Sequence, residues 1–208
     1  MIALVDYGAG NLASVRKALA AVGAQAWTPA VPGELGRAHD IVVPGVGHFD
    51  STKRMTDDWR AAIKTMVDDG APLLGICVGL QWLFEGSEES TDAAGVGYFA
   101  GSCFRLGNPS RPQDLRTLGP LKVPHVGWNS LQLPRPSALM GGIDDQTQVY
   151  FTHSYAAPVI EDTVAVCEYG VAFSAAVERG NVSAVQFHPE KSGDAGLRIL
   201  ENWRRNVK

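Results

Sequence analysis

Ala71-Pro72-Leu73-Leu74-Gly75-Ile76-Cys77-Val78-Gly79-Leu80-Gln81-Trp82-Leu83-Phe84 is the stretch on which the fold of this chain is decided. It opens on a short apolar run, Leu73 to Ile76, of the kind a buried parallel strand needs. From Val78 to Phe84 it continues as an apolar segment that reads as a helix. Between the two stands Gly75-x-Cys77-x-Gly79. A strand, a tight turn and a helix, with a reactive residue at the apex and a glycine on each side, describe a nucleophile elbow. A side chain in place of either glycine would collide with neighbouring backbone. The elbow points the thiol out of the sheet and sets it at a helix N-terminus, where the dipole favours thiolate. The competing reading is a buried structural cysteine, because free Cys is among the most buried residue types.

The segments before the elbow repeat its pattern. Met1 to Val5 is a buried-strand candidate, followed by the glycine-rich turn Asp6-Tyr7-Gly8-Ala9-Gly10-Asn11. Leu12, Val15, Leu19 and Val22 recur at helical spacing, so a helix is expected to run to about Gly23, a C-terminal stop. Gln25 to Thr28 and Asp40 to Pro44 are the next strands, the latter with β-branched Ile41-Val42-Val43. Pro44-Gly45-Val46-Gly47 is a second glycine-rich turn, and Met55, Trp59, Ile63 and Met66 mark a helix ending near Gly70. This alternation predicts an α/β fold: a doubly wound, mostly parallel sheet with helices on both faces and sites at the C-terminal ends of its strands.

The second half changes character. Glu85 to Ala94 is polar and reads as a loop, and Asn108 to Pro120, with three prolines and two arginines, as a surface loop. Short β-rich segments lie at Cys103–Leu106, Val123–Leu133, Val149–Tyr155, Val164–Glu168 and Phe173–Val177. Strands in succession without helices between them predict an antiparallel, β-rich addition to the sheet. Ser183 to Phe187 is the last strand, and a closing helix carries Leu197, Leu200 and Trp203 inward. A single domain over residues 1–208 is expected, since 208 residues suffice for one good core and are short for two.

Composition excludes several classes. The chain is 45% hydrophobic and 19% charged, with a net charge of −4, which speaks against a nucleic-acid or membrane-surface partner. No apolar run reaches transmembrane length, and no basic region suggests a signal peptide. The three cysteines, Cys77, Cys103 and Cys167, have no metal-like spacing and suggest a reducing, cytoplasmic setting. No metal and no cofactor are expected.

Phe187-His188-Pro189-Glu190-Lys191-Ser192 follows directly on the last strand. A cysteine hydrolase needs a base for the thiol proton and a carboxylate to orient that base and stabilise its cation. His188 and Glu190 meet this need if the proline bends the chain so that both side chains address one hydrogen bond. Taken alone, the segment reads far more readily as a strand-ending turn with surface charge. Two independent motifs at strand C-termini favour the chemical reading.

These motifs, Leu74 to Gln81 and Gln186 to Ser192, resemble the class I, or triad, glutamine amidotransferases. Asp6 to Ser14, Pro44 to Gly47, Pro124-His-Val-Gly-Trp-Asn129 and Tyr150-Phe-Thr-His-Ser-Tyr155 narrow the resemblance to the glutaminase subunits of imidazole glycerol phosphate synthases. The resemblance implies a chain that hydrolyses L-glutamine through a Cys77 thioester. His188 would move the protons and Glu190 would orient it. The oxyanion needs backbone donors, which the resemblance places at Val78 and at Val46 or Gly47. A plain strand-to-helix turn would use the same glycines. Gln81, His153, Ser154 and Tyr155 would contact the substrate, although Gln81 is otherwise an ordinary helix residue and His153 a satisfied structural histidine. Asn11, Trp128, Tyr150 and Lys191 match positions that face a (β/α)8-barrel cyclase, to which ammonia would be delivered for the synthesis of imidazole glycerol phosphate and aminoimidazole carboxamide ribotide. A tryptophan is otherwise more often core, and a lone lysine a solvated charge. His48 and His39 receive no role.

Three alternatives stand beside this reading. The same glutaminase could serve another synthase, of the pyridoxal phosphate or anthranilate type. The fold could carry a non-catalytic binding protein, against which intact Cys77, His188 and Glu190 argue. A peptidase of similar architecture would not need its base in a Phe-His-Pro-Glu turn. Fold analogy alone does not decide among them.

Overall fold

The computed structural model describes residues 1–107 and 121–205; the expected surface loop at Asn108 to Pro120 lies outside the described residues. The first half alternates as the apolar runs require. β1 (Ile2–Leu4), α1 (Leu12–Ala21), β2 (Ala26–Trp27), β3 (Asp40–Gly45), α2 (Asp57–Asp68), β4 (Leu73–Cys77) and α3 (Val78–Leu83) follow in order. The second half carries β5 (Gly86–Ser87), β6 (Ser102–Arg105), β7 (His125–Ser130), β8 (Gln148–His153) and β9 (Tyr155–Ala156). It ends with β10 (Thr163–Glu168), β11 (Ala172–Arg179), β12 (Val182–Val185) and α4 (Gly193–Arg205).

Seven strands form the main sheet in the order β10-β11-β12-β4-β3-β1-β2. The run from β12 to β2 is parallel, and β11 and β10 extend it antiparallel at one edge. Central strands β4 and β12 are buried at every residue, as strands covered on both faces must be. The expected α/β class with a mostly parallel sheet is what forms.

The expected antiparallel addition is formed by β11 and β10. The other short strands stay outside the main sheet: β5, β6 and β9 make a three-stranded sheet, and β7 pairs with β8. The physical reason is visible on β7, whose Val126 and Trp128 are exposed. A strand with such a face is not one that a doubly covered sheet takes in. The closing helix differs in detail as well. Its inward face is Gly196, Ile199, Leu200 and Trp203, one helical stripe, whereas Leu197 lies about 100° further round and is half-buried.

The elbow rests on two close approaches. A Cβ on Gly79 would lie 1.9 Å from the Val43 carbonyl oxygen of β3, and one on Gly75 would lie 2.7 Å from the Gly79 carbonyl oxygen. Only hydrogen fits at either place, so the glycines set how near α3 comes to the sheet. Gly79→Ala should therefore lower the unfolding free energy by about 3 kcal/mol or more in urea titrations. A loss under about 1 kcal/mol would mean that α3 shifts freely away from β3.

Candidate active site

Cys77 ends β4 and precedes α3, with φ +55 and ψ −106. A residue with a side chain rarely adopts this left-handed conformation, and strain of this kind concentrates at functional turns. Cys77 pairs with Gly45 across the ladder to β3. Val78 opens α3, where the first N–H groups have no acceptor within the helix. One correction falls here. Pro44 and Gly45 belong to β3, registered on Ile76 and Cys77, so the glycine-rich turn begins only at Val46. Gly47 follows with φ +97 and open space around it.

β12 lies directly beside β4, so the chain leaving β12 reaches the same sheet edge as the elbow. Pro189–Lys191 forms a 3-10 turn. That turn brings His188 Nδ1 to 2.8 Å from Glu190 Oε1, with both side chains almost fully buried. A carboxylate oxygen only accepts, so Nδ1 carries the proton and Nε2 is left to act on another group. Nε2 is buried and makes no well-formed hydrogen bond among the described residues. Burial pulls the His188 pKa down, but interaction with Cys77 and with Glu190 outweighs it and pushes the pKa up to about 9. The imidazole therefore holds a proton readily.

A cavity of about 240 Å³ opens over Cys77. Its lining includes Val78, Gly47, Gln81, Glu89, Ser154 and Tyr155. Gln81 is 3% exposed, and its Nε2 donates to the Tyr155 carbonyl at 3.0 Å and to Gln186 Oε1 at 3.2 Å. His153 also lines the cavity, but both its ring nitrogens are committed. The Tyr155 carbonyl only accepts, so His153 Nδ1 donates to it at 2.8 Å. His153 Nε2 then accepts from His125 Nδ1 at 3.0 Å. Burial pushes the His153 pKa down to about 3 and that of His125 to about 4, so both stay neutral. The His153 ring thus braces the Tyr155 carbonyl instead of offering the cavity a free donor.

Two residues of the site were not singled out in the sequence. Glu89 lines the cavity, and its Oε2 accepts from the Phe49 N–H at 2.7 Å; His48 Nε2 stands 3.9 Å from its other oxygen. Gln186, just past β12, is fully buried, and its Nε2 donates to Cys77 Sγ at 3.6 Å. Among the described residues no cluster of three or more His, Cys, Asp or Glu that could hold a metal ion occurs. None of their helices is long and apolar enough to cross a membrane.

Trp128, Tyr150 and Lys191 come together on the outside. Trp128 is 54% exposed and meets Tyr150 edge-on, with ring centroids 6.1 Å apart. Lys191 Nζ lies 5.6 Å from the Tyr150 ring centre. Asn11 is exposed and caps α1, accepting from the Ser14 N–H, and α1 packs on the Pro189–Lys191 turn.

The arrangement of elbow, neighbouring His-Pro-Glu turn and cavity defines a class I glutamine amidotransferase fold. The family model for glutamine amidotransferase class-I matches residues 3–206. Among solved structures, PurLQS from Thermotoga maritima superposes with a TM-score of 0.74 at 18% identity, covering 100% of this chain and 98% of that one. A structure described as glutamine amidotransferase gives 0.71, covering 98% of each. The imidazole glycerol phosphate synthase subunit HisH of Thermococcus kodakarensis is 46% identical over 99% of this chain and 100% of its own length. That of Moorella thermoacetica is 43% identical over 100% and 95%. The chain belongs to the class I glutamine amidotransferase family and, within it, to the HisH subunits of imidazole glycerol phosphate synthase.

The raised His188 pKa sets a pH dependence. A group whose pKa is higher folded than unfolded contributes stability that is complete below its unfolded value, near 6.5, and is lost as pH rises through the folded value, about 9. The stability advantage of the wild type over His188→Gln should be largest below pH 6.5 and shrink towards about pH 9. An NMR titration of the His188 ring should show its midpoint near 9, and Glu190→Gln should bring it down. A wild-type midpoint below 6.5 would mean that burial prevails over the two partners.

Proposed function

We propose that this chain hydrolyses glutamine for a (β/α)8-barrel cyclase, which uses the ammonia to make imidazole glycerol phosphate and aminoimidazole carboxamide ribotide in histidine biosynthesis. The observation that carries the reading is the meeting of Cys77 with the buried His188–Glu190 pair on adjacent strand ends. Cys77 gives its proton to His188 Nε2, which holds it readily, and the thiolate Sγ attacks the side-chain carbonyl carbon of glutamine. The oxyanion takes N–H donors from Val78 and from the Val46–Gly47 turn. When the intermediate collapses, the C–N bond breaks and His188 returns the proton to the departing ammonia. A γ-glutamyl thioester remains. His188 then takes a proton from water, hydroxide displaces the sulfur, and glutamate leaves.

The cavity suits that substrate. Glu89 supplies a carboxylate for an α-ammonium group, and Gln81, Ser154 and Tyr155 border the same space. His153 serves by holding the Tyr155 carbonyl. The exposed Trp128, Tyr150 and Lys191 cluster, with Asn11, is the cyclase-facing surface in this reading. The chain acts as one domain in the cytoplasm, a setting that its three free cysteines favour. Service to another synthase finds no support in relatives that share the HisH name at 43–46% identity.

Cys103 and Cys167 are buried, and burial pushes both thiols upward, that of Cys167 to about 12. An electrophilic glutamine analogue should therefore modify Cys77 and spare the other two. Cys77→Ala should lose glutaminase activity by several orders of magnitude; full activity in that variant would refute the assignment. Glu190→Gln should reduce kcat more than it weakens glutamine binding, whereas an unchanged kcat at saturating glutamine would reject the orienting role. Glutamate release should rise from isolated chain to complex, and again when the complex holds its acceptor. A hundredfold rise corresponds to roughly 2.7 kcal/mol of preference for the active arrangement of the oxyanion turn. Equal rates in all three would leave a constitutive glutaminase.

A further inference from the structure

A fully buried amide beside a nucleophilic sulfur has no use in packing alone. Gln186 is 0% exposed, between Val185 and Phe187, both also fully buried. A polar side chain in such a place needs partners for its donor and its acceptor. The orientation of the Gln186 amide is fixed from outside the site. The Tyr155 carbonyl can only accept, so Gln81 turns Nε2 towards it at 3.0 Å. The same Nε2 donates to Gln186 at 3.2 Å, so Gln186 must present Oε1 there. Its own Nε2–H2 is thereby left facing Cys77 Sγ at 3.6 Å. No flip of either amide satisfies the Tyr155 carbonyl and the Gln81–Gln186 contact together.

We propose that Gln186 is a further catalytic residue: its side-chain N–H donates to Cys77 Sγ and stabilises the negative charge that sulfur gains when its proton moves to His188. This rests on Cys77 being the nucleophile. The geometry divides the work on the sulfur between two neighbours. His188 Nδ1 is spoken for by Glu190, so Nε2 is the proton acceptor. Gln186 offers no basic atom to Sγ, so it acts purely as donor. A donor held on a fixed amide needs no reorganisation as the charge forms, and hydrogen bonds to charged atoms are about twice as strong as neutral ones. The donor also serves the second half of the reaction, when the thioester breaks and sulfur leaves as an anion.

The chain also ties the nucleophile to the substrate side of the cavity. Gln81 borders the cavity, holds Gln186 in place, and is itself held by the carbonyl that His153 braces. A substrate that draws Gln81 towards itself acts on the donor of the sulfur through one shared hydrogen bond.

The test compares wild type, Gln186→Met, Gln186→Glu and Cys77→Ala, each assembled with the cyclase. Gln186→Met keeps the length of the side chain and removes the donor. Gln186→Glu keeps an acceptor for Gln81 and places an oxygen where the N–H stood. Both should slow alkylation of Cys77 by iodoacetamide and lower kcat by about tenfold to a hundredfold. KM for glutamine should change less than kcat, and the alkylation rate should rise with pH later than in wild type. A purely structural Gln186 would lower Tm and leave both the alkylation profile and kcat in place, which overturns the proposal. In wild type, where no variant need fold, the Gln186 side-chain amide resonances should move when Cys77 is alkylated; resonances that stay fixed overturn it too. Activity retained by Cys77→Ala would instead refute the nucleophile assignment, an outcome distinct from a silent Gln186.

Discussion

The contact on which the site depends is the one between the Gly79 backbone and the Val43 carbonyl of β3, where a Cβ would stand 1.9 Å from the oxygen. Because nothing intervenes, α3 starts immediately at the end of β4 and the chain has one residue in which to turn. That residue is Cys77, and the turn holds it at φ +55. The cost of such a conformation, about 1–3 kcal/mol, is borne by the surrounding packing. Leu74 and Ile76 of β4 and Leu80, Trp82 and Leu83 of α3 are all essentially fully buried. The same turn sets the thiol beside the end of β12, which is where His188 arrives.

What could be read from the sequence follows from how local each signal is. The elbow was legible because its apolar runs and its two glycines are contiguous, and steric exclusion at a glycine leaves few alternatives. The His188–Glu190 pair was legible because two residues joined by a proline keep their geometry within one turn. Partnering of the short strands was not legible. Exposure alternates along β7, yet nothing local says that its partner is β8 and not the main sheet. Gln186 stands inside the Gln186 to Ser192 motif, and its signal is a polar residue between Val185 and Phe187 just past a fully buried strand. Glu89 gave no signal, since a carboxylate in the polar run Glu85 to Ala94 looks like any solvated loop charge. The motif Tyr150 to Tyr155 points to His153 at the cavity, but nothing local shows that its ring nitrogens hold Tyr155 and accept from His125.

The site is built from two kinds of polar group with different tasks. His188 and Glu190 are buried and paired, and the pairing keeps the imidazole ready to hold a proton. His125 and His153 are buried and neutral, and their value lies in direction. A neutral imidazole donates at one nitrogen and accepts at the other, so a chain of two has a fixed polarity once its last acceptor is a carbonyl. Asn129 Nδ2, 3.3 Å from His125 Nε2, supplies the donor at the far end. Protonating either ring would put two donors nose to nose, His153 Nε2 against His125 Nδ1 or His125 Nε2 against Asn129 Nδ2. Strong burial of both rings disfavours that in the ordinary pH range.

The exposed aromatic cluster and the His188 backbone meet at β8. Tyr150 lies on β8 opposite Trp128 of β7, with its ring in the exposed cluster and its backbone turned inward. The Tyr150 carbonyl accepts from the His188 N–H at 2.9 Å, and the Tyr150 N–H donates to Ser192 Oγ at 3.0 Å. Ser192 Oγ donates in turn to the His188 carbonyl at 2.7 Å. The His188 backbone is therefore tied to the backbone of a surface aromatic residue by three hydrogen bonds that close on themselves. Lys191, within the same turn, reaches back over the Tyr150 ring. A body that binds Trp128, Tyr150 and Lys191 loads both ends of this closed set at once. His188 thus follows the buried β12 in the chain and is hydrogen-bonded to the outward-facing β8, whereas Cys77 ends a strand buried inside the main sheet.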